Sequence, residues 1–226
     1  ILREEDKKVV IITSTISGEG KTFIAVNLAV IIALTGKKVL LVGLDLRKPK
    51  LNSLLTVTKP NGLSTFLIGK DEFDAVVYPS AYDNLYITPS GPIPPNPAEL
   101  IGLKRMDDFI LRARKQFDMI IIDTPPVAIV TDTMVASRFS DAIIYITRFN
   151  FTNREAVSIT ESLKTKDDGK NIAIVINDVV HKQRYGYSYG YGFAYGSRYY
   201  YYRDSDYYTD DEKPKTLKDK VFKFFS

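Results

Sequence analysis

An apolar stretch, Val9–Thr13, runs into the loop TSTISGEGKTF and then into a helical pattern over Lys21–Leu34. This order of strand, loop and helix constrains the fold more than any other feature of the chain. The usual phosphate-binding loop is a glycine, four residues, then glycine-lysine and serine or threonine. Here Thr15 stands at the first glycine, and the remainder, through Gly20-Lys21-Thr22, fits. Gly18 and Gly20 let the backbone fold tightly, so that its N–H groups can face phosphate oxygens. A helix beginning near Lys21 directs its positive end at the same place. In such loops the lysine reaches the β- and γ-phosphates and the following hydroxyl, here Thr22, coordinates magnesium. An ordinary glycine turn would share some of these residues, but the surrounding order points to a site for ATP with Mg2+. Ser17, Gly18, Glu19, Gly20, Lys21, Thr22 and Phe23 form its candidate nucleotide-binding stretch.

Apolar runs at Val39–Gly43, Leu85–Thr88, Met119–Asp123, Ala142–Thr147 and Ile172–Asn177 read as further strands, nearly continuous as in strands covered on both faces. Helical patterns lie at Pro97–Gln116, Thr131–Arg138 and Asn153–Lys164. The alternation predicts an α/β fold: a mostly parallel sheet flanked by helices on both faces. Ligands then bind at the carboxyl ends of the strands, where each motif falls. Residues 1–181 read as the nucleotide-binding domain. Ser90–Pro97 (SGPIPPNP) reads as a rigid loop.

Acidic residues sit at two of those strand ends. Asp123 closes MIIID, the usual place for a second magnesium anchor beside a phosphate loop, although an Asp there can also cap a helix or form a turn. Asp45 lies two residues beyond the second strand, followed by Arg47 and Lys48. It is either a solvated turn residue or a second group within reach of the metal.

Composition narrows the remaining classes. The chain has no cysteine, which excludes disulfides, thiolate zinc sites and cysteine-held clusters. Its longest apolar run, Val26–Leu34, is too short to span a bilayer and no basic-plus-apolar signal precedes it. The chain begins at Ile1 without methionine and reads as a piece of a longer protein. A membrane segment can have preceded it.

Of 15 tyrosines, 11 follow residue 184. Residues 182–212 lack Leu, Ile, Val and Met, so this stretch cannot build a core and reads as a flexible tail. Three uses stay open from the tail alone: self-phosphorylation, aggregation, or stacking of nucleic acid on its tyrosines with Arg184, Arg198 and Arg203. Residues 213–226 read as a short amphipathic helix, with Leu217, Val221, Phe224 and Phe225 on one face. That helix either packs on the protein or touches an anionic membrane surface.

Three motifs together, ISGEGKT (16–22), LLVGLDLRKP (40–49) and IIIDTPP (120–126), with GPIPPNPAELIG (91–102) and the tyrosine cluster, resemble those of the bacterial tyrosine autokinases. These are relatives of the ParA/MinD P-loop ATPases. The resemblance implies that Lys21 holds the phosphates and stabilises the transferring phosphoryl group. It implies that Thr22, Asp45 and Asp123 serve the magnesium, with Lys21, Asp45 and Asp123 as the catalytic set, and that Asn177 contacts the adenine. Tyr185, Tyr187, Tyr189, Tyr191, Tyr195, Tyr199, Tyr200, Tyr201, Tyr202, Tyr207 and Tyr208 become the phosphoacceptors.

The resemblance further implies a ring-like homo-oligomer exchanging tails in trans and a membrane-embedded chain-length regulator in the same full-length chain. It also implies a separate tyrosine phosphatase, a place at the cytoplasmic face of the inner membrane, a role in exopolysaccharide or capsule polymerisation and export, and no nucleic-acid partner. The alternative is a ParA/MinD-type switch ATPase that dimerises and binds DNA or membrane. That class carries an extra lysine early in the loop, and none lies between Thr15 and Glu19.

Two departures stand out. Gly43 occupies the position of the family's first aspartate in its Asp-x-Asp motif, a candidate base or metal ligand. Either Asp45 or Asp123 then takes the base role, or transfer relies on positioning and magnesium. Residues 1–8 hold only a charged remnant of the helix motif used in ring assembly.

Overall fold

The structure, a computed structural model, describes residues 6–51, 61–128, 131–158 and 171–179. The chain divides into two units, Ile1–Val179 and Val180–Ser226. The second lies outside the described residues, and with it the tyrosine tail and the terminal amphipathic segment.

Seven strands are described: β1 (Val9–Ser14), β2 (Val39–Gly43), β3 (Tyr78–Pro79), β4 (Leu85–Thr88), β5 (Met119–Asp123), β6 (Ala142–Arg148) and β7 (Asn171–Asn177). They form one sheet in the order β3-β4-β2-β5-β1-β6-β7. All neighbours are parallel except β3, which runs antiparallel to β4. From β1 the chain crosses toward β2 on one side and later returns to β6 on the other. The crevice at such a reversal lies at the carboxyl end of β1, where parallel sheets take their ligands.

The helices are α1 (Lys21–Leu34), α2 (Leu63–Leu67), α3 (Phe73–Val76), α4 (Pro97–Gly102), α5 (Lys104–Gln116) and α6 (Asp132–Ser137), with a 3-10 turn at Arg154–Val157. In α1 the buried residues include Ala25, Val26, Ala29, Val30 and Ala33, one stripe at helical spacing. Small side chains there let the helix lie close on the sheet, which places its first turn at the end of β1. In α5 the buried set is Met106, Phe109, Ile110 and Ala113, the same spacing. It joins Phe66 and Phe73 in an aromatic group whose ring centroids lie 5.1 to 6.5 Å apart, two of the three pairs meeting edge-on. These rings pack with Val9, Ile11, Leu40, Val42, Ile120 and Ile122 of the central strands.

The expected helix over Pro97–Gln116 is two helices. Leu103 between them is extended (φ −68°, ψ 151°), following Gly102, a weak helix former. Of the expected Asn153–Lys164 helix, residues 153–158 are described: a 3-10 turn at Arg154–Val157, capped by the Asn153 side chain, which accepts from the Glu155 N–H, and then Ser158 in helical conformation. The short elements α2, α3 and β3 carry too few residues to show a period in sequence. β7, at the sheet edge, leaves Ile174 and Ile176 exposed, so its apolar run is not covered on both faces.

Candidate nucleotide-binding site

The loop from β1 to α1 is shaped by its glycines. Gly18 and Gly20 both have φ 95°, a left-handed conformation that other residues adopt rarely. Gly20 also has a close neighbour: a Cβ there would lie 2.2 Å from Asn177 Nδ2, so the Asn177 side chain would have to shift from its bond to Glu19 O. Thr15, at the motif's first glycine, is not among the residues of positive φ, so no glycine is required. Its hydroxyl instead meets the Tyr145 hydroxyl of β6 at 2.7 Å. Burial pushes the Tyr145 phenol pKa upward, partly countered by that bond.

Around the loop most carbonyls are occupied from within the protein, and of the N–H groups that of Ile16 is taken by the Glu19 carboxylate. Ser14 O and Thr15 O accept from Val127 N and Ala128 N, Ile16 O from the Ser14 hydroxyl, and Gly20 O from Ile24 N in α1. Gly18 O accepts from Arg148 Nη1 at 3.3 Å, and Glu19 O from Asn177 Nδ2 at 3.0 Å. Carbonyls held inward turn the intervening amides outward, the arrangement that binds anions. No acidic side chain lies in the first turn of α1 to oppose its positive end.

The sequence-predicted residues separate into two groups. Lys21 and Thr22 are buried in the first turn of α1, and Asp123 is buried at the end of β5. Lys21 Nζ lies 3.7 Å from Asp45 Oδ2. Lys21, Thr22, Asp45 and Asp123 therefore converge on one spot at the carboxyl ends of β1, β2 and β5. Ser17 and Gly18 are exposed on the rim, and Phe23 is exposed on α1. Glu19 is buried and its side chain turns away from the loop's open side: its carboxylate accepts from Ile16 N at 2.7 Å and from the Thr152 hydroxyl. Asn177, the last residue of β7, reaches the loop from the far side through Glu19 O.

Asp45 is not a solvated turn residue. It is buried, and its Oδ1 accepts from the N–H groups of Arg47 (3.3 Å) and Lys48 (3.0 Å). Arg47 in turn grips the fully buried Asp132 of α6 through Nε and Nη2 at 3.0 and 3.1 Å. That hydrogen bonding raises the guanidinium pKa further. Sequence reading missed this clamp, because nothing local ties residue 47 to residue 132.

Burial pushes the Asp123 carboxyl up to about 6, while the Lys21 ammonium and the Thr22 hydroxyl pull it down. Its Oδ1 is buried with no hydrogen-bond partner. An orphaned carboxylate oxygen beside a threonine hydroxyl fits a hard cation that keeps most of its shell as water and phosphate oxygen, as Mg2+ does. Among the described residues there is no cluster of three or more His, Cys, Asp or Glu side chains, so no all-protein cage exists for a metal.

Gly43 pairs in register with Asp123. Ser90, buried in the loop after β4, donates its hydroxyl to Gly43 O at 2.9 Å. A Cβ at residue 43 would lie 2.9 Å from that Ser90 Oγ. Ser90 thus crowds the space into which a side chain at residue 43 would project.

These features define a P-loop nucleotide-binding protein. The AAA domain family matches residues 7–176. Tyrosine-protein kinase YwqD of Bacillus subtilis is 39% identical over 72% of this chain and 69% of its own length. Tyrosine-protein kinase etk of Escherichia coli K12 is 33% identical over 83% of this chain, but the match spans only 26% of that protein. The kinase domain of Escherichia coli tyrosine kinase ETK superposes with a TM-score of 0.76 at 33% identity, covering 84% of this chain and 75% of that one. The septum site-determining protein MinD of Pyrococcus horikoshii, solved with Mg-ADP, gives 0.63 at 25% identity over 75% of this chain and 70% of its own. The chain belongs to the bacterial tyrosine-protein kinase family, within the AAA-domain P-loop ATPases.

Proposed function

We infer that the chain is the catalytic part of an ATP-dependent protein-tyrosine autokinase. The observation that carries the reading is the convergence of Lys21, Thr22, Asp45 and Asp123 in a member of this family. The loop N–H groups and Lys21 take the β- and γ-phosphates of ATP, and Asp45 holds the Lys21 ammonium in place. Thr22 and Asp123 would hold Mg2+, with Asp45 within reach. The bound ion supplies positive charge to the phosphates during transfer.

A phenol oxygen attacks the γ-phosphorus as the bond to the β,γ-bridging oxygen breaks, giving a phosphotyrosine and ADP. The phenol proton leaves to Asp45 or Asp123, or on the transferred phosphoryl oxygens. A loose transition state asks for alignment and charge stabilisation more than for a strong base, so a chain with Gly43 in place of a carboxylate can still react.

The acceptors on this reading are the eleven tyrosines from Tyr185 to Tyr208, offered to a neighbouring copy in a ring. Each phosphate adds about −1.5 to −2 charge at neutral pH, so successive transfers repel one another and loosen the assembly. The chain spans about a quarter of etk, and the reading places a membrane-embedded chain-length regulator in the remainder of the full-length protein. No helix among the described residues is long and apolar enough to cross a membrane. The resemblance supports control of exopolysaccharide or capsule export at the cytoplasmic face of the inner membrane, with a separate phosphatase resetting the tail.

Incubation with Mg-ATP followed by intact mass tests the reading. Phosphate additions that map to residues 185–208 and vanish in Lys21→Met are expected. No additions, or additions unchanged in that variant, would sink it and leave the switch ATPase as the better account.

A further inference from the structure

Glu19 is an odd residue to find in a loop built for phosphate. A free carboxylate there would repel the ligand, yet this one is 0% exposed and fully engaged inside the protein. One oxygen accepts from the Ile16 N–H, closing the first turn of the loop upon itself. The other accepts from the Thr152 hydroxyl, and Thr152 is set by accepting from Arg148 N at 2.8 Å. Arg148 also donates to Gly18 O, and Asn177 donates to Glu19 O. The end of β6, the segment after it and the end of β7 therefore grip the loop at three points, two on its carbonyls and one on the Glu19 side chain.

We propose that Glu19 is a positioning residue for the nucleotide phosphates. Through its bonds to Ile16 N–H and the Thr152 hydroxyl, its side chain holds the loop in its phosphate-accepting shape. The grip works by geometry. The Ile16 N–H is withdrawn from the ligand, the turn is closed, and the amides beyond it keep the outward orientation that phosphate needs. The idea rests on reading this loop as the phosphate site. It adds that the segment after β6, distant in sequence, sets the loop's affinity.

Physical reasoning separates the shape from the charge. In Glu19→Gln the amide oxygen can still accept from Ile16 N–H, and the amide nitrogen can donate to Thr152 Oγ, which has a second lone pair. Glu19→Ala loses both bonds. Because both lost bonds are to a charged group, a loss of about tenfold or more in phosphate binding is expected from Glu19→Ala. Thr152→Val, isosteric and outside the loop, should lose about threefold to tenfold.

The experiment measures Mg-ADP affinity by calorimetry and adenosine affinity by NMR titration on the same folded proteins. Expected are a weakened Mg-ADP affinity with adenosine unchanged in Glu19→Ala and Thr152→Val, near-normal Mg-ADP binding in Glu19→Gln and in Thr152→Ser, and a double variant no worse than Glu19→Ala. Equal losses for ADP and adenosine would overturn the proposal, since they mark general destabilisation. So would normal ADP binding by Thr152→Val, which keeps the test open if Glu19→Ala does not fold. Failure of the unaltered chain to bind Mg-ADP would overturn the phosphate-site reading itself, and with it this one.

Discussion

Replacing Gly43 by alanine tests how tightly the space beside residue 43 is closed. The added Cβ would lie 2.9 Å from Ser90 Oγ, 3.2 Å from Leu51 Cδ2 and 3.3 Å from Ser90 N. The Ser90 hydroxyl can swing away only by giving up its bond to Gly43 O, worth about 1 kcal/mol. The Ser90 backbone cannot easily follow, because its carbonyl accepts from Ser64 N at 3.0 Å. Overpacking of this kind costs about 1–3 kcal/mol. Gly43 does not have positive φ, so alanine also gains about 0.4–1 kcal/mol by restricting the unfolded chain. The net loss is about 1–2 kcal/mol, which for a domain of this size lowers Tm by roughly 4 °C. Scanning calorimetry of Gly43→Ala, Ser90→Ala and the double variant checks it. The double variant should lose less than the sum of the singles, because the closest contact is gone. A Gly43→Ala protein as stable as the parent, or strictly additive losses, would refute the argument. The same geometry predicts that Gly43→Asp alone does not raise tail phosphorylation: its carboxylate would be forced against Ser90 and beside Asp123.

The remaining predictions concern charge and core. Burial raises the Asp123 carboxyl to about 6 from 3.8, so in metal-free protein the ionised form is disfavoured by folding. Stability should be greatest below about pH 4 with respect to this group and fall as pH rises to about 6, by roughly 3 kcal/mol. Asp123→Asn should remove that slope and stabilise the metal-free protein at pH 8, read by denaturant midpoints, while weakening Mg-nucleotide binding. Arg47→Met leaves the buried Asp132 without its guanidinium. Because Arg47 is partly exposed, water moderates the loss to about 1–2 kcal/mol, and kcat should fall with it as the Asp45 loop loosens. Arg47→Lys should not rescue it, since one ammonium cannot reproduce the paired bonds. Phe109→Ala, at the centre of the ring cluster, should cost about 3–5 kcal/mol in chemical denaturation without altering nucleotide affinity in the folded fraction.

Much of the scaffold was legible because buried parallel strands and amphipathic helices write their periods into local sequence. Lys21–Leu34, Val39–Gly43, Leu85–Thr88 and Met119–Asp123 have the bounds their patterns predict. The misreadings have local causes of another kind. Leu103 breaks a helix whose apolar period runs on, and α2, α3 and β3 are too short for a period to emerge. At the site, Lys21, Thr22 and Asp123 were legible because a phosphate loop and a strand-end acid each lie within one short segment.

By itself the sequence determined the local devices: the glycines that admit a left-handed turn, the lysine and threonine that follow them, and the strand that delivers Asp123. Tertiary structure decided what those devices touch. It gave Thr15 a partner in Tyr145, tied Asp45's loop to Asp132 through Arg47, closed Gly43 with Ser90 and turned Glu19 inward onto Thr152. Each of these pairs joins residues at least 47 positions apart. A hydrogen bond between residues in segments distant along the chain leaves no period in the sequence. It exists only once the sheet has set the register that brings them together.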